Sequence, residues 1–238
     1  MEEACFEDEI NYSLSFVEAF EWKCPSKQSL FTIRERHLMI FKYFDRPDLF
    51  IGLTNTETAC DICKQNKFCF DAEGFYGNGE LTSICPECLS SGKLINLNSF
   101  TCNGDIKALT EQLKLINPNL TGEEIQIIAN QKTLELEKTT PQLITWQDWG
   151  WPCSDGDYCK FIGYGSKPLY KELAKEIPIE VFFKTSFYEP EYYNDDLWAD
   201  AVPDEIINNY EDISQFGTLF YVFKSLSSNK IITMWDCD

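Results

Sequence analysis

Histidine is almost missing from this chain. His37 is the single one in 238 residues, and no neighbour in sequence supplies the oriented partner a general base needs. No ligand-like spacing surrounds it either. Positive charge is also scarce, with 20 Lys and Arg against 39 Asp and Glu, a net charge of -19 and a sequence pI of about 4.4. That balance argues against nucleic-acid binding by phosphate neutralisation and against an anionic membrane surface. It permits a basic protein partner, met with electrostatic steering, although for acidic proteins in general such a balance more commonly serves solubility alone. No run approaches the ~18 apolar residues of a membrane span. The N-terminus has neither the basic nor the apolar region of an export signal. The expected compartment is therefore the cytoplasm, where thiols stay reduced. A glycine-rich phosphate loop and a Gly-x-Ser-x-Gly elbow are lacking too, which counts against two common enzyme classes.

Cysteine, by contrast, is plentiful, and the eleven cysteines are an odd number that does not suggest a disulfide framework. Four of them are paired in spacing, as Cys60-Asp-Ile-Cys63 and Cys85-Pro-Glu-Cys88. Two Cys-x-x-Cys knuckles at this separation are the usual supply of four thiolates to one tetrahedral zinc. Residues 67–74 alternate as a strand would, and Tyr76-Gly-Asn-Gly79 is turn chemistry, so the order is knuckle, strand, turn, strand, knuckle. Four thiolates fill the tetrahedron, so the Zn2+ is expected to be structural and to contribute to folding of a module at about 56–92.

Around that module the chain reads as α+β, an antiparallel sheet with several helices. Ile10, Leu14, Val17 and Phe20 give residues 1–24 an amphipathic helical spacing, and residues 1–37 form an N-terminal extension to a domain at 38–238. Residues 29–34 fit a short strand or a helical turn. Residues 38–50 are expected to be extended and to stop at Asp45-Arg46-Pro47. Ile106, Leu109, Leu113 and Ile116 predict a helix stopped by Pro118, and Thr121-Gly-Glu-Glu124 is a capping box for the next. Ser166 caps a helix with Pro168 in its first turn, residues 177–183 are β-prone, and residues 218–224 and 230–235 form a hairpin around Ser227-Ser-Asn229.

Two further stretches bear on function. Trp146, Trp149 and Trp151 lie beside Cys153, Asp155, Asp157 and Cys159. The rings are either a core cluster or a recognition surface. The cysteines and aspartates offer weakly spaced ligands for a second metal, hence a metal-dependent enzyme as an alternative. The other stretch, 185–223, has no Lys or Arg and carries Glu189, Glu191, Asp195, Asp196, Asp200, Asp204, Glu205, Glu211 and Asp212. Phe187, Tyr188, Tyr192, Tyr193, Trp198 and Tyr210 are interleaved with them. This composition fits either a partner surface, where rings supply contact area and carboxylates meet cations, or a solvated acidic segment whose rings point inward.

The order of several motifs resembles the CbrC-like family of bacterial proteins over roughly residues 38–238. The likeness rests on Phe41-Lys-Tyr-Phe-Asp-Arg-Pro47, the two knuckles, Thr140-Pro141 followed by Trp146-Gln147, Trp149 and Cys153, then Phe161-Ile-Gly163, Tyr221-Val-Phe-Lys224 and Trp235-Asp-Cys-Asp238. The resemblance implies a bacterial cytoplasmic protein with structural zinc and no established enzymatic activity. One member's name records tolerance to a nuclease colicin, and related proteins look like immunity partners of toxin domains. By that likeness the chain is a toxin-neutralising immunity protein, binding a cognate basic toxin domain through Glu189, Glu191, Tyr192, Tyr193, Asp195, Asp196, Trp198, Asp200, Asp204 and Glu205. A zinc-ribbon scaffold protein is a further alternative. The chain departs from the family where Ser225-Leu-Ser-Ser228 replaces a frequent final Cys-x-x-Cys, and where Cys153 and Cys159 are more widely spaced, which puts a second metal site in doubt.

Overall fold

The computed structural model describes residues 40–238, so the N-terminal extension, His37 and the segment 29–34 lie outside the described residues. The sheet that organises the rest has three antiparallel strands, with Thr218–Lys224 in the centre between Ile231–Cys237 and Lys160–Tyr164. Taken along the chain, Phe44 lies beside Phe161 of the later sheet, held by Phe161 N–H to Tyr43 carbonyl (2.9 Å) and Asp45 N–H to Phe161 carbonyl (2.8 Å). The expected extended segment thus exists over a few residues only. Pro47 then starts a short helix, α1 (Pro47–Phe50), because its fixed φ and missing N–H suit a first helical turn.

The cysteine-bearing module follows, built from two-residue strands: β1 (Thr58–Ala59), β2 (Asn66–Lys67), β3 (Phe70–Asp71), β4 (Tyr76–Gly77) and β5 (Ser83–Ile84), then helix α2 (Pro86–Ser90). β1 pairs with β2 and β3 with β5, all antiparallel, as knuckle-strand-turn-strand-knuckle requires. Tyr76-Gly77 departs from the turn expected there. It pairs with β6 (Ser99–Phe100), and the Tyr76 ring stacks on Phe100 at 5.3 Å.

Helices α3 (Ile106–Ile116) and α4 (Gly122–Thr139) follow, the second with the capping box expected from the sequence and the first with a cap at Asp105. Asp105 accepts from Ala108 N–H, and Thr121 and Glu124 exchange reciprocal bonds. A small hairpin, β7 (Cys153–Ser154) and β8 (Asp157–Tyr158), leads into β9 (Lys160–Tyr164). After it come α5 (Lys167–Ala174), capped by Ser166, and α6 (Ile179–Ser186). α6 corrects the β-strand expected at 177–183. Ile179, Phe182, Phe183 and Ser186 share one helical face, and that spacing buries Phe183 and Ser186 where an alternating strand would have exposed half of its apolar residues. Strands β10 (Thr218–Lys224) and β11 (Ile231–Cys237) close the chain as the expected hairpin, in register from Thr218–Cys237 to Lys224–Ile231.

β10 is buried along nearly its whole length because both faces are covered. Leu219, Tyr221 and Phe223 enter a large core with Trp151, Phe161 and Tyr164, whereas Phe220 and Val222 enter a second core with Tyr170, Phe183 and Leu197. A register shift between Val222 and Phe223 lets Phe161 and Tyr164 of β9 both face the large core. Gly163 sits at this bulge with φ of +149° and its Cα against the Phe50 ring, where a Cβ would stand 3.2 Å from that ring.

Candidate metal centre and acidic face

Cys60 leaves β1 into a tight turn, closed by Lys64 N–H to Cys60 carbonyl (2.8 Å) and Cys60 N–H to Gln65 carbonyl (2.9 Å). Lys64 takes the left-handed conformation, φ 61°, that returns the chain into β2. Cys85 is the N-cap of α2 with Pro86 behind it, which places Cys88 one turn along. The β3–β5 pairing brings the two turns face to face. Asp61 fixes them further, its carboxylate accepting from Thr82 N–H (2.8 Å), Ser83 N–H (3.0 Å) and the Thr82 hydroxyl (3.0 Å). Those donors hold Asp61 below the usual carboxylate range. Nothing in the sequence marked Asp61 out beyond its place inside the first knuckle.

The sulfurs of Cys60, Cys63, Cys85 and Cys88 all lie within 4.8 Å of one another, and those of Cys63 and Cys85 are 3.9 Å apart. Sulfurs ~2.3 Å from one zinc in a tetrahedron stand ~3.8 Å apart, so this spacing fits. The Cys60 sulfur also accepts Cys85 N–H at 3.3 Å. Burial acts upward on Cys60, but backbone N–H groups of Cys63, Cys85 and Ile62 outweigh it and bring this thiol to about 7. Burial raises Cys85, and Cys88 to about 11, as expected for thiols that need a cation to ionise together. The four cysteines can therefore hold a metal ion. Cys69 lies just behind the first knuckle yet turns its S–H toward the carbonyls of Lys67 (3.5 Å) and Thr58 (3.6 Å).

The other proposed ligand set is divided among different tasks. Asp157 pairs with Lys132 (2.8 Å) and Lys42 (3.4 Å) and accepts the Tyr43 hydroxyl (3.0 Å). Burial works against its charge, but the two lysines keep it below the usual range. Asp155 accepts the hydroxyls of Ser225 (2.6 Å), Ser228 (2.5 Å) and Ser154 (3.2 Å), tying the β7–β8 turn to the β10–β11 turn. Cys153 and Cys159 are buried, and burial pushes the Cys153 thiol up to about 11, so it keeps its proton at neutral pH. Among the described residues these four do not converge as a ligand group. Trp151 is core, donating from its ring nitrogen to the Cys159 carbonyl (2.7 Å), while Trp146 and Trp149 are half-buried.

On the far side of the sheet, the acidic stretch wraps the second core. Glu189, Glu191, Asp195, Asp196, Asp200, Asp204 and Glu205 are all exposed. Among the described residues two carry ion pairs, Asp204 with Lys167 (2.8 Å) and Asp195 with Lys184 (3.6 Å). The rings divide. Tyr192 stands out at 58% exposure. Tyr193 packs on Phe187 (5.3 Å), and Trp198 packs on Phe183 (5.2 Å) and Tyr170 (6.1 Å). Residues 197–201 form a π-helical turn that seats Leu197 in the core and turns Asp196 and Asp200 outward. No helix among the described residues is long and apolar enough to cross a membrane.

No solved structure matches this chain. A family model does, across residues 38–237, from the segment that flanks β9 through both knuckles and the acidic face to the end of β11. The chain belongs to the family described as Uncharacterised protein family (UPF0167).

Proposed function

We propose that this is a binding protein of the immunity type, which neutralises a basic toxin domain of the nuclease kind by covering it with the acidic face at 189–205. The observation that carries this reading is the exposure of seven carboxylates on a segment without Lys or Arg, fastened by its own rings to a packed core. A preformed acidic surface steers a cationic partner and loses little ordering entropy on contact. The toxin class comes from the family resemblance. Cys60, Cys63, Cys85 and Cys88 hold Zn2+ in this reading. A shell of four thiolates leaves no open position, so the metal's role is to close the module, and no catalytic residue is assigned. The protein acts in the cytoplasm, where these thiols stay reduced.

The test is association kinetics with a recombinant basic nuclease toxin domain over a range of salt. Combined replacement of Asp195, Asp196, Asp200 and Asp204 by Lys should slow association by on the order of tenfold or more and flatten its salt dependence. An association rate indifferent both to salt and to these replacements would overturn the proposal.

A further inference from the structure

A cleft of about 480 Å³ opens where the acidic stretch meets the edge of β11. Its walls come from the start of α3, the tryptophan loop, the segment after α6 and β11. Carboxylates of Asp105, Asp148 and Glu189 and the rings of Trp149, Tyr188 and Tyr192 line it, and among the described residues no Lys or Arg does. The volume falls within the roughly 300–1,000 Å³ of small-ligand pockets.

The charges in this cleft differ in how far they are already used. Asp236, on the floor, is saturated by the Tyr221 hydroxyl (2.9 Å), Trp146 N–H (3.0 Å) and the Trp149 ring N–H (3.3 Å). Asp105 accepts from Ala108 N–H (3.0 Å) and the Tyr188 hydroxyl (3.0 Å). Among the described residues Asp148 has one long contact, the Tyr76 hydroxyl at 3.4 Å. The Glu189 carboxylate has no hydrogen-bond or ion-pair partner among the described residues, and partial burial with Glu191 and Asp105 nearby raises its pKa. The cleft therefore presents unneutralised negative charge between aromatic walls, and the complement of that surface is a flat cation.

We propose that the cleft seats one arginine side chain of the basic partner, with the guanidinium between Glu189 and Asp148 and against the aromatic walls. This rests on the binding reading above and names the residue by which the partner is held. Arginine suits the site better than lysine because a planar guanidinium stacks on rings while donating in a fork to carboxylates. The cleft is continuous with the acidic face through Glu189 and Tyr192, so a side chain can enter while the partner's backbone lies along 189–205.

The probe is N-acetyl-arginine amide added to the full chain, followed by tryptophan fluorescence, since Trp149 and Trp235 both border the cleft. Its uncharged isostere, N-acetyl-citrulline amide, is the control. The arginine amide should bind saturably and the citrulline amide about tenfold more weakly, the equivalent of one charge contact. Glu189→Gln and Asp148→Asn, both at exposed positions, should each weaken arginine binding severalfold with thermal melting unchanged. Absence of saturation, equal affinity for citrulline, or indifference to both variants overturns the proposal. Failure of the cleft and failure of the acidic face give different results. If the amide does not bind while Lys replacements at Asp195, Asp196, Asp200 and Asp204 still slow the toxin domain, the cleft assignment falls and the acidic-face reading survives. If the amide binds but the toxin domain ignores the acidic face, the reverse holds.

Discussion

At the scale of single residues, the described cysteines are distinguished by what their sulfurs face. Burial pushes Cys69 and Cys153 up to about 11 and Cys102 to about 12, and Cys69 spends its S–H on backbone carbonyls. Only Cys60, Cys63, Cys85 and Cys88 converge among the described residues. Replacement of Cys60 or Cys85 by Ser should therefore reduce metal, measured by elemental analysis of the purified chain, from about one per chain to near zero, since a closed tetrahedral site loses its fit with one ligand gone. Cys69→Ala should retain it. Asp155 gives a second residue-scale prediction. Its folded pKa lies below the ordinary 3.8 because the hydroxyls of Ser225, Ser228 and Ser154 bond its ionised form. The stabilisation is present above that ordinary value and is lost as pH falls through the lower folded value, because the unfolded chain takes up the proton first. Asp155→Asn should lower the urea midpoint at pH 7 and flatten its decline below about pH 4. An unchanged slope there would mean that the serine cluster does not hold the carboxylate ionised.

At the scale of elements, β10 divides the molecule into two apolar bodies, and Phe183 of α6 is the hub of the smaller one. Its ring meets Tyr170 at 4.9 Å, Phe187 at 5.0 Å, Trp198 at 5.2 Å and Phe220 at 5.5 Å. Phe183→Ala should cost about 3–5 kcal/mol in chemical denaturation. It should also make residues 187–205 more open to limited proteolysis, because Phe187, Tyr193 and Trp198 lose a common support. A loss below about 1 kcal/mol would show that the site collapses without harm. This helix also marks where sequence stops being informative. Capping residues are local, so Thr121 with Glu124, and Ser166, identified helix starts that the structure contains, whereas the Asp105 cap of α3 emerges only from the structure. The Cys-x-x-Cys spacing is equally local, and the four sulfurs do meet. Residues 177–183 are β-prone one by one, but their fate depends on the concave surface of Tyr170, Phe220 and Leu197, which comes from elsewhere in the chain. The cleft was illegible for the same reason. Asp105, Asp148 and Glu189 lie far apart in sequence and become neighbours only through the approach of Phe187 to Thr233 on β11.

At the scale of the whole molecule, the four-cysteine cluster and the sheet share one apolar interior. Phe70, Ile84 and Leu89 around the knuckles belong to the same buried cluster as Leu109, Phe161 and Phe223. Phe41 provides one direct link, its ring 6.0 Å from Phe70 in the module. Because these side chains pack as one continuous cluster, loss of a metal held by the four cysteines would not be confined to the two turns. Four thiols left without a cation must either keep protons in a buried cluster or move apart, and moving apart opens β3–β5 and uncovers Phe70 and Ile84. Stripping the metal with a strong chelator at neutral pH should lower Tm by about 10 °C or more, because in a chain of this size ~1 kcal/mol corresponds to ~2–4 °C and a closed thiolate site contributes several kcal/mol. Differential scanning calorimetry should show one transition before chelation and a broader, earlier one after it, with Zn2+ added back restoring the first. A chelated chain that melts at the original temperature would mean that the apolar interior holds the module closed without its metal.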